Sequence, residues 1–193
     1  MTDVASKRWA DYVWESTRKT RTLLFSSAVT SKSVRDTMDQ LLALEADNPK
    51  KPVTIILNTP GGEVLSGYGL VDMIRFVRPQ VRVVGAGMIA SMGISILLSV
   101  EKKFRYSLPN ARFMLHQPRY GGLVQGSISD LEIEAKEMVK MKDKSNREIA
   151  AGTGQSVEKI DRDTRRDLWL DAEEALNYGL VSKIITSVSE IKG

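Results

Sequence analysis

The segment Gly87-Met88-Ile89-Ala90-Ser91-Met92-Gly93 carries the clearest strand-to-helix signal in this 193-residue chain. An apolar run typical of a strand precedes it, and an apolar run typical of a helix follows it. Ser91 therefore lies between small residues where the strand gives way to the helix, which is a suitable place for a nucleophile. The pattern indicates an α/β fold with a candidate reactive serine at the end of a strand.

The chain has one histidine, His116, which follows Ser91 by 25 residues. Any acid/base chemistry by an imidazole must therefore use this position. A serine hydroxyl is a weak nucleophile at its own pKa and needs a neighbouring base to take its proton as it attacks a carbonyl. We therefore consider Ser91 and His116 as a candidate pair of nucleophile and base.

Such a pair needs a carboxylate that holds the imidazole in the right tautomer, and backbone N–H groups that stabilise an oxyanion. Asn58-Thr59-Pro60-Gly61-Gly62 follows the strand-like Val53-Thr54-Ile55-Ile56-Leu57. Its two glycines can present bare amides where a Cβ would obstruct a substrate. Spacing alone does not choose among four candidate carboxylates, which are Asp161, Asp163, Asp167 and Asp171.

Each of these features also has an ordinary structural interpretation. Ser91, Ser95 and Ser99 recur every four residues, so they share a helix face that could serve close packing. A histidine beside a proline is more often structural than catalytic, and a Pro-Gly-Gly sequence is a turn signal by itself. An aspartate in a polar helix-like segment is ordinarily a solvated surface residue. The combination of these features, in this order, favours a catalytic site.

The composition bounds the class of protein. A length of 193 residues with 42% hydrophobic content predicts one domain spanning residues 1–193. No apolar run reaches the roughly 18 residues of a membrane span, and the N-terminus lacks a secretory signal, so we expect a cytoplasmic protein without membrane contact. With no cysteine and one histidine, we expect no disulfide, no metal and no cofactor.

Charge and motifs exclude two further function classes. The net charge of +4 comes from basic residues interspersed with acidic ones, so we expect no nucleic-acid partner. The sequence has no Walker phosphate loop, and the chain itself should not hydrolyse ATP.

Helical and strand-like patterns alternate along the chain. We predict a helix capped by Thr30 or Ser31 that ends near Glu45, a strand at 53–57, a helix at 65–77, a strand at 82–85, the serine-bearing helix, and strands near 104–106 and 113–115.

The longest predicted helix follows Ser127, or Ser129 with Glu132 as a capping box, and runs to about Ala151. Its length is about 35 Å at roughly 1.5 Å per residue. An apolar stripe along it would ordinarily pack on the domain's own core. The stripe consists of Ile128, Leu131, Ala135, Met138 and Met141.

From about Leu23 to Ile185 the chain resembles ClpP, the family of proteolytic subunits of the ATP-dependent Clp protease. The segments that carry the resemblance lie in the family's order: 44–49, 58–62, 90–93, 108–118, 125–126, 153–156, 163–167 and 174–181. The resemblance implies a ClpP/crotonase-like α/β fold of repeated ββα units. It makes residues 127–152, approximately, a protruding handle helix and residues 1–22 a divergent N-terminal segment.

Carried over residue by residue, the resemblance implies a serine endopeptidase. Ser91 would be the nucleophile, His116 the general base and then acid, and Asp167 the carboxylate that orients the imidazole. The backbone amides of Gly62 and Met92 match the positions that form the family's oxyanion hole, in agreement with the need for an N–H group next to the nucleophile.

The resemblance also implies an assembly that serves protein quality control. Two heptameric rings would enclose a proteolytic chamber, with the handle stripe buried against another subunit. An AAA+ unfoldase of the ClpX, ClpA or ClpC type would use ATP to feed unfolded polypeptide into the chamber. The substrate would bind as an added strand, through backbone hydrogen bonds that tolerate many sequences.

Two departures from the family pattern concern the unfoldase side of the ring. The apolar start that forms the family's pore hairpin is not visible in residues 1–13, which are polar and include Trp9 and Tyr12. Two aromatics under the unfoldase pocket are replaced by Thr54 and Ile56, although Phe76 remains. We therefore expect altered pore gating and altered docking of the unfoldase.

Two other departures concern the contact between rings. The loop 118–126 is about two residues longer than in the family, and Arg165 replaces an acid, which leaves Arg166 without its usual partner. Like charges meeting there would disfavour a symmetric double ring. We therefore consider pairing with a second ClpP-like subunit, and a partner-dependent or structural subunit, as alternatives. A crotonase-type acyl-CoA hydratase or isomerase would leave the Ser91/His116 pair unexplained.

Overall fold

Helices and strands alternate along the computed structural model, which describes residues 2–122 and 125–191. The helices are α1 Thr2–Thr20, α2 Ser31–Asp47, α3 Val64–Phe76, α4 Met92–Leu97, α5 Ile128–Thr153, α6 Val157–Asp163 and α7 Ala172–Tyr178. The strands are β1 Thr22–Ser26, β2 Val53–Thr59, β3 Val81–Ala90, β4 Arg105–Ser107, β5 Arg112–Leu115, β6 Leu168–Leu170 and β7 Lys183–Ile184.

One mostly parallel sheet joins the strands in the order β1-β2-β3-β4-β7. The long strand β3 has two partners on one side, because its residues 83–85 pair with β4 and its residues 88–90 pair with β5. Strand β5 in turn pairs with β6 in antiparallel orientation. The C-terminal end of β3 is thereby fixed between β2 and β5, directly before Ser91.

The core lies on both faces of the central strands, as expected for a parallel sheet covered by helices. Leu57, Val83, Ile89 and Phe113 are fully buried there. All six residues of α4 are buried as well, so the helix that follows Ser91 is a core element rather than a surface one.

Helix α5 begins with a capping box of Ser127 and Asp130, so the prediction of Ser127 as the cap is confirmed and that of a Ser129/Glu132 box is wrong. Its C-terminal half is anchored in the core through Ile149 and Ala150. Its first half extends away from the domain, and Ile128 is 79% exposed. The ordinary alternative, a stripe packed wholly on this domain's core, is therefore not what the structure shows, and α5 protrudes as the predicted handle helix.

Residues 2–20 form helix α1, for which the sequence analysis predicted no regular element. The rings of Trp9 and Tyr12 stack with centroids 5.7 Å apart, and both side chains are mostly exposed. Trp14 packs against the core. This part of the chain therefore presents a helix at the position where the family resemblance implied an apolar hairpin.

Arg21 connects α1 and β1 to the end of α2. Its side chain is 8% exposed, and it donates hydrogen bonds to the carbonyl oxygens of Leu44, Asn48, Lys51 and Pro52 at 2.9 to 3.2 Å. It also lies 3.3 Å from Asp47 Oδ2. One guanidinium thus donates to four carbonyls at the end of a helix and in the following turn, where few backbone donors remain.

We expect Arg21→Met to lower the free energy of unfolding by about 3 kcal/mol, because several buried carbonyls lose their charged donor. Urea denaturation would measure the loss. The matched control is Arg18→Met, which removes an exposed arginine that pairs with Glu15 and Asp47 and should cost at most about 1 kcal/mol. Equal losses for the two variants would contradict the prediction.

Across residues 2–122 and 125–191, every helix is too short or too polar for a membrane span.

Candidate active site

Ser91 occupies a strained turn between β3 and α4. Its φ and ψ angles are 55° and −120°, a conformation that L side chains rarely adopt. The turn is held from both sides, because the Ser91 amide donates to the Met114 carbonyl at 2.9 Å and the Ile94 amide donates to the Ser91 carbonyl at 2.9 Å. Backbone strain of this kind persists where the surrounding structure fixes it, and it is common at reactive positions.

His116 follows β5, the strand that runs beside the end of β3. Its Nε2 atom is hydrogen-bonded to Ser91 Oγ at 2.7 Å, and its side chain is 13% exposed. Ser91 makes no capping bond to α4, so its hydroxyl is directed to the imidazole instead. The structure therefore brings the predicted nucleophile and base into hydrogen-bond contact.

Among the four candidate carboxylates, Asp167 is the one beside His116. Its Oδ1 atom lies 3.7 Å from His116 Nδ1, which is too long for a hydrogen bond. The other three have different partners. Asp161 pairs with Lys142 at 2.6 Å, Asp163 accepts from the Tyr178 hydroxyl at 2.7 Å, and Asp171 caps α7.

Arg119 lies between His116 and Asp167, a position that the residue pattern did not predict. Its Nε donates to His116 Nδ1 at 2.9 Å, and its Nη2 contacts the same nitrogen and donates to Asp167 Oδ1 at 2.8 Å. The one feature of the sequence that pointed to Arg119 is its position in the loop 118–126, which is longer than the corresponding loop of the family. Residues 123 and 124 of that loop lie outside the described residues.

The surroundings of His116 favour its neutral form. Burial lowers its pKa, the nearby Arg119 cation lowers the pKa further, and Asp167 acts in the opposite direction. These surroundings thus favour the neutral imidazole that a general base requires.

We expect the acid limb of kcat/KM for peptide hydrolysis to have its midpoint below the ordinary histidine pKa of about 6.5, because the pKa of His116 is lowered. Removing Arg119 removes one lowering cause, so Arg119→Ala should move this midpoint to higher pH. A pH profile of kcat/KM measures both effects, with Arg112→Ala as the control for loss of one exposed cation. A midpoint that moves to lower pH in Arg119→Ala would contradict the prediction.

Gly61 and Gly62 bring the turn after β2 against Ser91. Both have positive φ, 88° and 149°. A Cβ on Gly61 would lie 2.6 Å from Ser91 Cβ, and a Cβ on Gly62 would lie 2.2 Å from the Val29 carbonyl oxygen. Only glycine fits at either position, which explains why two consecutive glycines follow Pro60.

The two amides predicted for an oxyanion hole are placed differently from their neighbours. The Val29 N–H donates to the Gly61 carbonyl, and the Glu63 N–H donates to the Val29 carbonyl. The Gly62 amide therefore takes no part in this pairing of backbones. The Met92 amide is the first of α4 and has no acceptor within the helix. In the described part of the chain neither amide donates a hydrogen bond, so neither has an acceptor within the protein.

A small cleft of about 40 Å³ opens beside Ser91 and His116. Its walls are mostly apolar and come from α3, α4, β5 and α5, with Val64, Met92, Leu115 and Ile149 among them. Tyr68 also lines it and donates to Glu148 Oε2 at 3.0 Å. Within residues 2–122 and 125–191, no three His, Asp or Glu side chains are grouped as metal ligands.

A mostly parallel sheet with a protruding helix, and a serine hydrogen-bonded to a histidine beside an apolar cleft, define the class as a candidate peptidase of the ClpP type. The family model for Clp protease matches residues 5–188. The chain belongs to the Clp protease family, whose members are proteolytic subunits, and the resemblance seen in the sequence is confirmed.

Individual relatives agree with this assignment. The chain is 46% identical over 173 residues to the ATP-dependent Clp protease proteolytic subunit 2 of Pseudomonas aeruginosa, covering 90% of this chain and 85% of that protein. It is 44% identical over 173 residues to proteolytic subunit 3 of Rhizobium johnstonii, covering 90% and 88%.

Among solved structures, a ClpP1 mutant from Listeria monocytogenes has a TM-score of 0.86 and 43% identity, covering 93% of this chain and 99% of that one. This likeness confirms the predicted ClpP-type α/β fold.

Proposed function

We propose that this chain is a serine endopeptidase subunit of an ATP-dependent Clp protease, which hydrolyses peptide bonds of unfolded polypeptides in the cytoplasm. The observation that supports it most is the 2.7 Å hydrogen bond between Ser91 Oγ and His116 Nε2 in a chain of this family. Residues 1–193 would act as one domain, and family membership argues against the hydratase alternative.

In the proposed mechanism, Ser91 Oγ attacks the substrate carbonyl carbon while its proton passes to His116 Nε2. The amides of Gly62 and Met92 donate to the oxyanion that forms. His116 then protonates the leaving amine, and water releases the acyl group from Ser91 by the same steps in reverse. Asp167 accepts from Nδ1–H and stabilises the imidazolium, which requires it to come closer than 3.7 Å.

The proposed assembly is two heptameric rings enclosing a chamber. The exposed apolar residues on the first half of α5, with Ile128 and Ile133 among them, support burial of this handle against another subunit. An AAA+ unfoldase would supply the ATP-driven step, so this chain needs no cofactor of its own. Neither nucleic acid nor membrane is a partner in this proposal.

A second ClpP-like subunit is the alternative partner for the ring. Arg165 pairs within the chain with Asp161 at 3.5 Å, whereas no ion pair of Arg166 occurs in the described part of the chain. The relatives named proteolytic subunit 2 and subunit 3 fit proteases built from more than one such subunit. The contact of Arg119 with His116 also favours a subunit whose activity depends on a partner.

An active-site-directed fluorophosphonate probe tests the proposed activity. Labelling of the purified chain that Ser91→Ala abolishes would establish a self-sufficient serine peptidase. Labelling that appears only after a partner subunit is added would assign the activity to the mixed assembly. No Ser91-dependent labelling in either sample would overturn the proposal.

We expect the small apolar cleft to widen around the substrate side chain that precedes the cleaved bond and to select it. A peptide with leucine there should have a kcat/KM at least about tenfold above one with aspartate, because burying leucine contributes about 1.5 to 3 kcal/mol. Chromogenic peptides that differ only at this position would measure the ratio. Equal values would contradict the assignment of the cleft to the substrate.

A further inference from the structure

Arg119 makes contacts that the proposed mechanism does not use. We propose that Arg119 is an inhibitory positioning residue: its guanidinium holds His116 in the tautomer that cannot accept the Ser91 proton, and the site becomes competent when Arg119 leaves Nδ1. The inference deepens the proposed function and rests on it, because it concerns the same serine and histidine.

The contacts of Arg119 determine which imidazole nitrogen carries the proton. An arginine has donors only, so His116 Nδ1 must accept with its lone pair in the contact at 2.9 Å. The single proton of a neutral imidazole then resides on Nε2. In the 2.7 Å bond to Ser91, Nε2 is therefore the donor and the serine oxygen the acceptor.

This tautomer is opposite to the one that catalysis needs. A general base must offer the Nε2 lone pair to the serine hydroxyl while Nδ1–H donates to the carboxylate. Here the Asp167 oxygen that would accept from Nδ1 accepts from Arg119 at 2.8 Å instead. The guanidinium thus lies where Nδ1–H would donate to Asp167. It prevents that hydrogen bond, and it also keeps Nε2 from accepting the serine proton.

The restraint is weak enough to be reversible. The Arg119 side chain is 58% exposed and Asp167 is 44% exposed, so their ion pair is well solvated. The same loop is tied to the handle, because the Tyr120 hydroxyl lies 3.1 Å from both the carbonyl oxygen and the carboxylate of Glu134 on α5. A movement of the first half of α5 would therefore carry the loop that holds Arg119.

The single histidine makes a direct test possible. In protein without a histidine tag, ¹⁵N-labelled histidine gives one Nδ1 and one Nε2 signal, both from His116. Solid-state ¹⁵N NMR of the sedimented protein at pH 8 should show protonated Nε2 and unprotonated Nδ1. In Arg119→Ala and Arg119→Gln the proton should move to Nδ1. The control Arg112→Ala removes an exposed arginine from β5 and should leave the spectrum unchanged.

Peptide hydrolysis provides the second readout. Since the wrong tautomer lowers turnover by up to about 10⁴-fold, Arg119→Ala should raise kcat at least about tenfold, and Arg112→Ala should not. A wild-type chain with Nδ1 already protonated, or a variant with unchanged tautomer and rate, would overturn the inference alone. A tautomer that shifts as expected, without Ser91-dependent hydrolysis in any variant, would overturn the proposed function instead.

Discussion

Once Arg119 has left His116 Nδ1, replacing Ser91 by alanine is expected to lower kcat for peptide hydrolysis by about 10⁶-fold, and replacing His116 by alanine should lower it equally. The two side chains are joined by a 2.7 Å hydrogen bond and act as one unit, since the hydroxyl is a nucleophile only while the imidazole takes its proton. The double variant should therefore be no slower than either single variant. Steady-state hydrolysis of a chromogenic peptide by the assembled enzyme measures all three.

Ser99→Ala is the matched control for this series. Ser99 lies eight residues after Ser91, just beyond the end of α4, is buried, and donates to the Ile96 carbonyl at 2.6 Å. It represents the alternative in which the serines at every fourth position serve packing only. The interpretation of Ser91 and His116 as nucleophile and base would be contradicted if Ser99→Ala lowered kcat as much as Ser91→Ala does. It would also be contradicted if the losses in kcat of the two single variants added in the double variant.

Patterns of residues predicted the central elements because their burial is periodic. Strand β2 alternates buried and half-buried side chains, and α2 begins after its predicted cap Thr30. The proximity of Ser91 and His116 was also predictable, because one follows β3 and the other follows its neighbour β5. Spacing could not choose Asp167 among four aspartates, since that choice depends on how the segment between α6 and β6 folds back on the sheet.

The contact of Arg119 with the site could not be predicted in the same way. An arginine in an irregular loop is ordinarily solvated, and no periodicity indicates where its side chain lies. Its position depends on where the loop after His116 turns and on the tie between Tyr120 and α5. Helix α1 was missed for a related reason, because its outer residues Trp9 and Tyr12 face solvent and leave no clear apolar stripe.

Gly61→Ala is expected to lower kcat/KM by about 10³-fold, although it adds a single methyl group. The new Cβ would lie 2.6 Å from Ser91 Cβ and 2.7 Å from the Ala90 carbonyl oxygen, and the φ of 88° is itself unfavourable for alanine. The turn after β2 and the Ser91 turn must therefore move apart. A displacement of about 1 Å costs roughly 10²-fold in rate, and a misplaced oxyanion donor costs a similar factor.

Gly69→Ala on α3 separates this effect from a general intolerance of glycine substitution. A Cβ there meets no atom within 4 Å, and alanine favours a helix by about 1 kcal/mol, so this variant should be as active as the wild type and slightly more stable. Thermal unfolding of both variants, with active-site labelling of each, would distinguish displacement of Ser91 from loss of the fold. A folded Gly61→Ala variant with wild-type kcat/KM would show that the close approach of the glycine turn to Ser91 has no role in catalysis, and would contradict the placement of the Gly62 amide in the oxyanion hole.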